Sequence, residues 1–136
     1  MPRESDKASL PEELLGDVSW SFRDDPYPDR AAFVAAVAEM YREMEIEGWN
    51  ADEVVLRCPR VRILCEDVED EDGEDLVLDI RSDDGIAFTA GELLFKIHNG
   101  VAGNESLGDH VYFEGLHLQE QPKGKKPPVY EMWLGS

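Results

Sequence analysis

Apolar and polar positions recur along the chain in two rhythms, and each rhythm predicts an element. In residues 18–22, Val18, Trp20 and Phe22 alternate with Ser19 and Ser21, the two-residue period of a half-buried strand. The next rhythm is helical. Phe33, Val34, Val37, Met40, Tyr41 and Met44 trace one face, and Glu39, Arg42 and Glu43 lie opposite. Asp29 after Pro28 suits an N-cap and Gly48 a stop, so a helix is expected from residue 29 to about residue 47.

Strand-like runs then occupy residues 53–58, 61–65 and 76–80. Val61, Ile63 and Cys65 share a face opposite Arg60, Arg62 and Leu64. Pro59 has no N–H for a ladder and marks a bulge or an edge. The third run returns as a hairpin partner after an acidic segment around Gly73. A second helix is expected from Thr89, where Thr89 and Glu92 have capping-box spacing, each side chain accepting from the other residue's backbone N–H. Leu93, Leu94, Ile97 and Val101 form its apolar side, and Asn99 and Gly100 are alternative stops. Strands at 110–118 and 129–134, joined by a Pro- and Lys-rich turn, close the chain.

Residues 1–17 are polar without clear periodicity and read as a loosely ordered arm, in which Leu10, Pro11, Leu14 and Leu15 would suit a short docked helix. Residues 18–136 read as one domain. Few helices and hairpin-length connections predict an α+β fold, a mainly antiparallel sheet with two helices packed on one face. A parallel sheet would need crossover helices that most of these strands lack.

Charge changes the picture more than size does. A chain of 136 residues, 42% hydrophobic, can bury a core for one domain. Its 31 acids against 13 bases give a formal net charge of -18. Such a chain repels phosphate backbones and anionic lipid surfaces, so neither nucleic acid nor membrane is an expected partner. A basic protein partner is expected, with plain solubility as the other explanation. Residues 1–15 hold six charged residues and no apolar run of signal-peptide length. The longest apolar stretch, residues 31–38, is too short to span a bilayer, and a cytoplasmic location is expected. Cys58 and Cys65 lie in strand-like runs and read as small core hydrophobes.

Residues 66–75 are the densest chemical feature: Glu66, Asp67, Glu69, Asp70, Glu71, Asp72, Glu74 and Asp75 surround Val68 and Gly73. Aligning Gly73 with the central glycine of a calcium loop puts Val68 and Asp79 where the first Asp and last Glu belong, so no metal is expected here. Two readings remain. One is a solvated hairpin tip partly neutralised by Arg57, Arg60 and Arg62. The other is a docking surface for a basic partner, formed by Asp67, Glu69, Asp70, Glu71 and Asp72.

Asp109, His110 and Glu114 form the best titratable cluster, since His110, Tyr112 and Glu114 share a face of a regular strand. They mark the pocket of an alternative reading, a small enzyme or ligand-binding domain. No catalytic residue and no cofactor follows, because no HExxH, CxxC, GxSxG or phosphate-loop pattern occurs. His110 and His117 fall on opposite faces unless a bulge at Gly115 intervenes. Tyr112 and Trp133 are candidates for a surface, with Phe113 and Leu116 buried. The oligomeric state stays open, since an edge near Pro59 or the C-terminal strand could pair across a dimer.

Residues 88–100, from Phe88-Thr-Ala-Gly-Glu-Leu-Leu to His98-Asn-Gly, together with 107–116 and 129–136, resemble the C-terminal half of small uncharacterised bacterial proteins. Some of these are similar to immunity proteins of polymorphic-toxin systems. The resemblance covers the C-terminal part of the chain and implies a stoichiometric binder that occludes a toxin domain. It transfers no functional residue. Many nuclease toxins present a basic surface to hold phosphate, and an acidic inhibitor is suited to fill it.

Overall fold

The computed structural model describes residues 10–135 except 24, 103 and 110, and for residue 67 the backbone alone. The first helix, α1 (Arg30–Glu43), starts where the sequence placed it: Asp29 Oδ1 accepts from the Ala32 N–H at 2.8 Å. Phe33, Val37 and Tyr41, one turn apart, are buried. The helix ends before Gly48, contrary to expectation. Ile46 N–H bonds to Tyr41 O and Glu45 N–H to Arg42 O, with Glu45 at φ 56°. This is a Schellman stop whose left-handed position, usually glycine, is a glutamate. Met44 and Ile46 consequently fall outside the helix and are exposed.

The second helix, α2 (Ala90–Val101), buries Leu93, Leu94, Ile97 and Val101 and runs through both Asn99 and Gly100. At Gly100 a Cβ would lie 2.8 Å from the Leu78 side chain, so the glycine lets that leucine lie across the helix. Only half of the capping box forms. Thr89 Oγ1 accepts from Glu92 N–H at 3.2 Å, but the Glu92 carboxylate points elsewhere. The first two N–H groups of the helix, of Ala90 and Gly91, are taken by the carbonyls of Glu53 and Ala51.

Among the described residues seven strands complete the α+β fold: β1 (Glu13–Leu14), β2 (Val54–Leu56), β3 (Arg60–Glu69), β4 (Asp75–Arg81), β5 (Phe88–Thr89), β6 (Tyr112–Glu120) and β7 (Val129–Gly135). Five form a sheet in the order β1-β6-β7-β3-β4, and β2 pairs with β5. Every pairing is antiparallel except β3 with β7. Alternation sends Val61, Ile63, Cys65, Ile80, Tyr130 and Met132 into the core shared with both helices. Arg60, Arg62, Asp79 and Trp133 take the other face.

Two segments differ from their sequence reading. Residues 18–22 bury Trp20 and Phe22 as the alternation demands, yet among the described residues their backbone pairs with the sheet through a single bridge from Ser21 to Tyr112. Of the N-terminal arm, residues 10–17 are described, and there Leu14 is buried in β1 on the edge of β6 rather than in a helix. Residues 1–9 lie outside the described part. The strand after Pro59 is interior, between β7 and β4, as is the C-terminal strand between β6 and β3. Neither of these two is an edge, whereas β2, on the other side of Pro59, pairs with β5 alone among the described residues.

Candidate functional site

The acidic run forms the tip of the β3–β4 hairpin. Val61, Ile63 and Cys65 face the core, so strict alternation would turn Asp67 inward and Val68 out. The ladder instead shifts register between Cys65 and Glu69, and Val68 is fully buried. A bulge thus anchors the base of the acidic segment in the core. The one apolar residue among eight carboxylates was the signal for it.

The turn beyond is closed by its own backbone. Asp70 N–H bonds to Glu74 O at 2.7 Å and Gly73 N–H to Asp70 O at 3.1 Å, with Gly73 at φ 80°. Asp70 Oδ1 accepts from both Asp72 N–H (2.8 Å) and Glu74 N–H (3.0 Å), an Asx-type brace. From the side, the 3₁₀ turn Glu105–Leu107 and its cap grip the strand end. Ser106 Oγ accepts from Glu69 N–H at 2.7 Å, and Asn104 Nδ2 donates to Glu69 O at 2.9 Å. Glu69, Asp70, Glu71 and Glu105 then border one open depression of about 820 Å³, floored by Leu76, Asn104 and Ser106.

The hairpin brings the sequence-nominated Glu69, Asp70, Glu71 and Asp72 together at one exposed tip; the side chain of Asp67 lies outside the described part. Arg60 and Arg62, two of the three arginines expected to neutralise it, lie elsewhere, against Asp79. Arg60 sits at the opposite end of β3, roughly 25–30 Å away along the strand, where it donates two hydrogen bonds to Asp79 at 2.8 and 2.5 Å. Those bonds hold the Asp79 carboxyl below the usual carboxylate range, with help from Arg62. The tip keeps its negative charge unopposed by Arg60 or Arg62. Among the described residues no three His, Cys, Asp or Glu side chains converge to hold a metal ion.

Of the second nominated cluster, Asp109, His110 and Glu114, two residues are described. His110 lies outside the described residues, and Asp109 and Glu114 are exposed, with the Glu114 carboxylate lying against Gly135 of β7. Tyr112, also exposed, accepts a 2.6 Å hydrogen bond from Arg23, whose guanidinium lies over the ring at 5.0 Å. Gly115, at φ 106°, sits in a register shift between Phe113 and Leu116. His117 stacks on the half-exposed Trp133 at 3.6 Å.

Two buried polar groups were invisible as such in the sequence. Glu92, its side chain 5% exposed, accepts from Asp83 N–H (2.7 Å) and Lys96 Nζ (2.9 Å) and lies 3.3 Å from Arg30. Lys96 also bonds Asp83 and thereby depresses that carboxyl. The cluster lines a cleft of about 380 Å³ with Asp84 and Ala51. Fully buried His98 accepts from Trp20 Nε1 at Nδ1 (3.1 Å), so its proton is on Nε2, 3.1 Å from Asp25 O. Trp20, Phe22, Tyr27 and Phe33 surround its ring. Both cysteines are free, and burial pushes the Cys65 thiol up to about 12.

Among the described residues no helix is long and apolar enough to cross a membrane. No protein-family model, curated protein or solved structure matches the chain.

Proposed function

We propose that this protein is an acidic protein-binding module, of the kind represented by immunity proteins, that occludes a basic partner such as a toxin domain. The observation that carries the reading is the braced carboxylate tip. Glu69, Asp70, Glu71 and Asp72 project from a turn whose backbone is closed by Asp70 and clamped by Ser106 and Asn104. A turn whose backbone is already fixed costs little ordering entropy on binding, and the field of its carboxylates steers an oppositely charged partner.

The test is the triple variant Asp70→Asn, Glu71→Gln and Asp72→Asn. It removes three charges, while the amide oxygen introduced by Asp70→Asn can still accept the two N–H groups of the brace. The binding partner to use is a basic toxin domain, taken from the neighbouring gene if that gene encodes one, purified and mixed with the full chain in stopped flow. Association should slow by about tenfold or more at low salt, and the difference should shrink as salt screens it. An unchanged association rate at low salt would remove the tip from the mechanism.

A further inference from the structure

The sheet ends on one side at β4, which has no strand beyond it among the described residues. Ser82 N–H bonds to Pro59 O, and this sets the phase of the β3–β4 ladder. Leu76, Leu78 and Ile80 turn their backbone groups toward β3, and those of Asp75, Val77, Asp79 and Arg81 face outward. Lys96 Nζ, 2.7 Å from Arg81 O, marks the outward direction and occupies one lone pair of that carbonyl, leaving the other for a further strand. The edge is seven residues long and carries apolar side chains: Val77 is 50% exposed, and Leu76 and Leu78 are half-buried. Beside it, Leu78, Ile80, Lys96 and Gly100 line a shallow cleft of about 450 Å³ between β4 and α2. An unpaired edge of this length with exposed apolar side chains is a template for another strand.

We propose that β4 pairs antiparallel with β4 of a second copy, about a two-fold axis at Leu78, to make one ten-stranded sheet. The strand's own charges select this register. Outward backbone groups must meet outward groups, which leaves axes at Val77, Leu78 or Asp79 near the strand centre. An axis at Val77 sets Asp75 against the second copy's Asp79, and one at Asp79 sets that carboxylate against itself. At Leu78, Asp75 faces the second copy's Arg81 twice over, and Val77 faces Asp79, a carboxylate already held by Arg60. On the inner face Leu78 meets Leu78 and Leu76 meets Ile80 at the mouth of the cleft, covering side chains that a monomer leaves half in water.

A single pair of seven-residue strands is a small interface, so micromolar association is expected rather than an obligate dimer. Each copy carries -18, and their mutual repulsion opposes pairing. Added salt should therefore tighten the dimer, opposite in sign to the salt effect on a basic partner at the acidic tip. The proposal does not depend on that tip.

Sedimentation velocity of the full 15.4 kDa chain decides it. Measured from about 5 to 500 µM, at roughly 0.15 and 0.5 M NaCl, the protein should pass from monomer to dimer, more readily at the higher salt. Arg81→Asp should weaken the dimer by about tenfold, and Asp75→Arg combined with Arg81→Asp should restore it. Val77→Pro deletes an outward N–H that β3 does not use and should abolish dimers while leaving the circular dichroism spectrum unchanged. If that variant fails to fold, the charge-swap pair decides the matter. A monomer at every concentration, or a dimer indifferent to Arg81→Asp, overturns the pairing, and failure of the double swap to restore overturns the register.

Discussion

Glu92 can be read in two ways that predict opposite results for one substitution. As the second member of a capping box it would be replaceable by glutamine, which serves that motif equally well. In the fold its carboxylate instead accepts from Asp83 N–H and Lys96 and faces Arg30, with its side chain 5% exposed. In Glu92→Gln, one amide oxygen can still accept, but the NH₂ group must then face a cation or the Asp83 N–H, donor against donor. Removing one partner of a fully buried ion pair costs about 3–5 kcal/mol. Here Arg30 and Lys96 retain side-chain exposures of 45% and 24% and can reach water, which discounts the loss. We expect a destabilisation of roughly 1.5–3 kcal/mol. With an unfolding entropy of about 2.1 cal/mol/K per residue, 2 kcal/mol lowers Tm by about 7 °C for a chain of this length. Urea unfolding followed by the fluorescence of buried Trp20 measures it, with Thr89→Ala, expected to cost about 1 kcal/mol, as the measure of the cap alone. A loss below about 0.5 kcal/mol for Glu92→Gln would refute the ion-cluster account and reinstate the capping box.

Glu45→Gly should stabilise the fold by about 0.5–1 kcal/mol in the same assay, because it relieves a left-handed backbone at the end of α1; no gain would mean the Schellman geometry is not retained in solution. Trp20→Phe leaves His98 Nδ1 buried without its donor and should cost about 1–3 kcal/mol, whereas a neutral result would show that the ring repacks to find another partner. Cys65, raised from an ordinary 9.0 to about 12 by burial, contributes stability that is fully present below pH 9 and is lost as pH climbs toward 12. Cys65→Val should flatten that alkaline loss in denaturation curves taken across this range, and the native thiol should resist iodoacetamide at neutral pH.

What the amino-acid sequence determined alone was the local rhythm: two amphipathic helices with the right buried faces, strands with Val61, Ile63 and Cys65 inward, N-caps at Asp29 and Thr89, and hence the α+β class. These follow from periodicity and capping chemistry within a few residues, which no distant contact needs to supply. The acidic tip was visible too, though not what holds it. Tertiary structure decided the rest, because each outcome depends on which distant segments meet. The bulge that buries Val68 exists because the core accepts a side chain there. Its clamp joins Glu69 to Asn104 and Ser106, more than thirty residues on. Glu92 left its cap for Asp83, Lys96 and Arg30, three partners from other turns or segments that its spacing from Thr89 could not reveal. The parallel pairing of β3 with β7 made interior strands of the two that looked like edges, and left β4 open instead. Local pattern says which side of an element is apolar, and only the assembled sheet says which side of a strand is left unpaired.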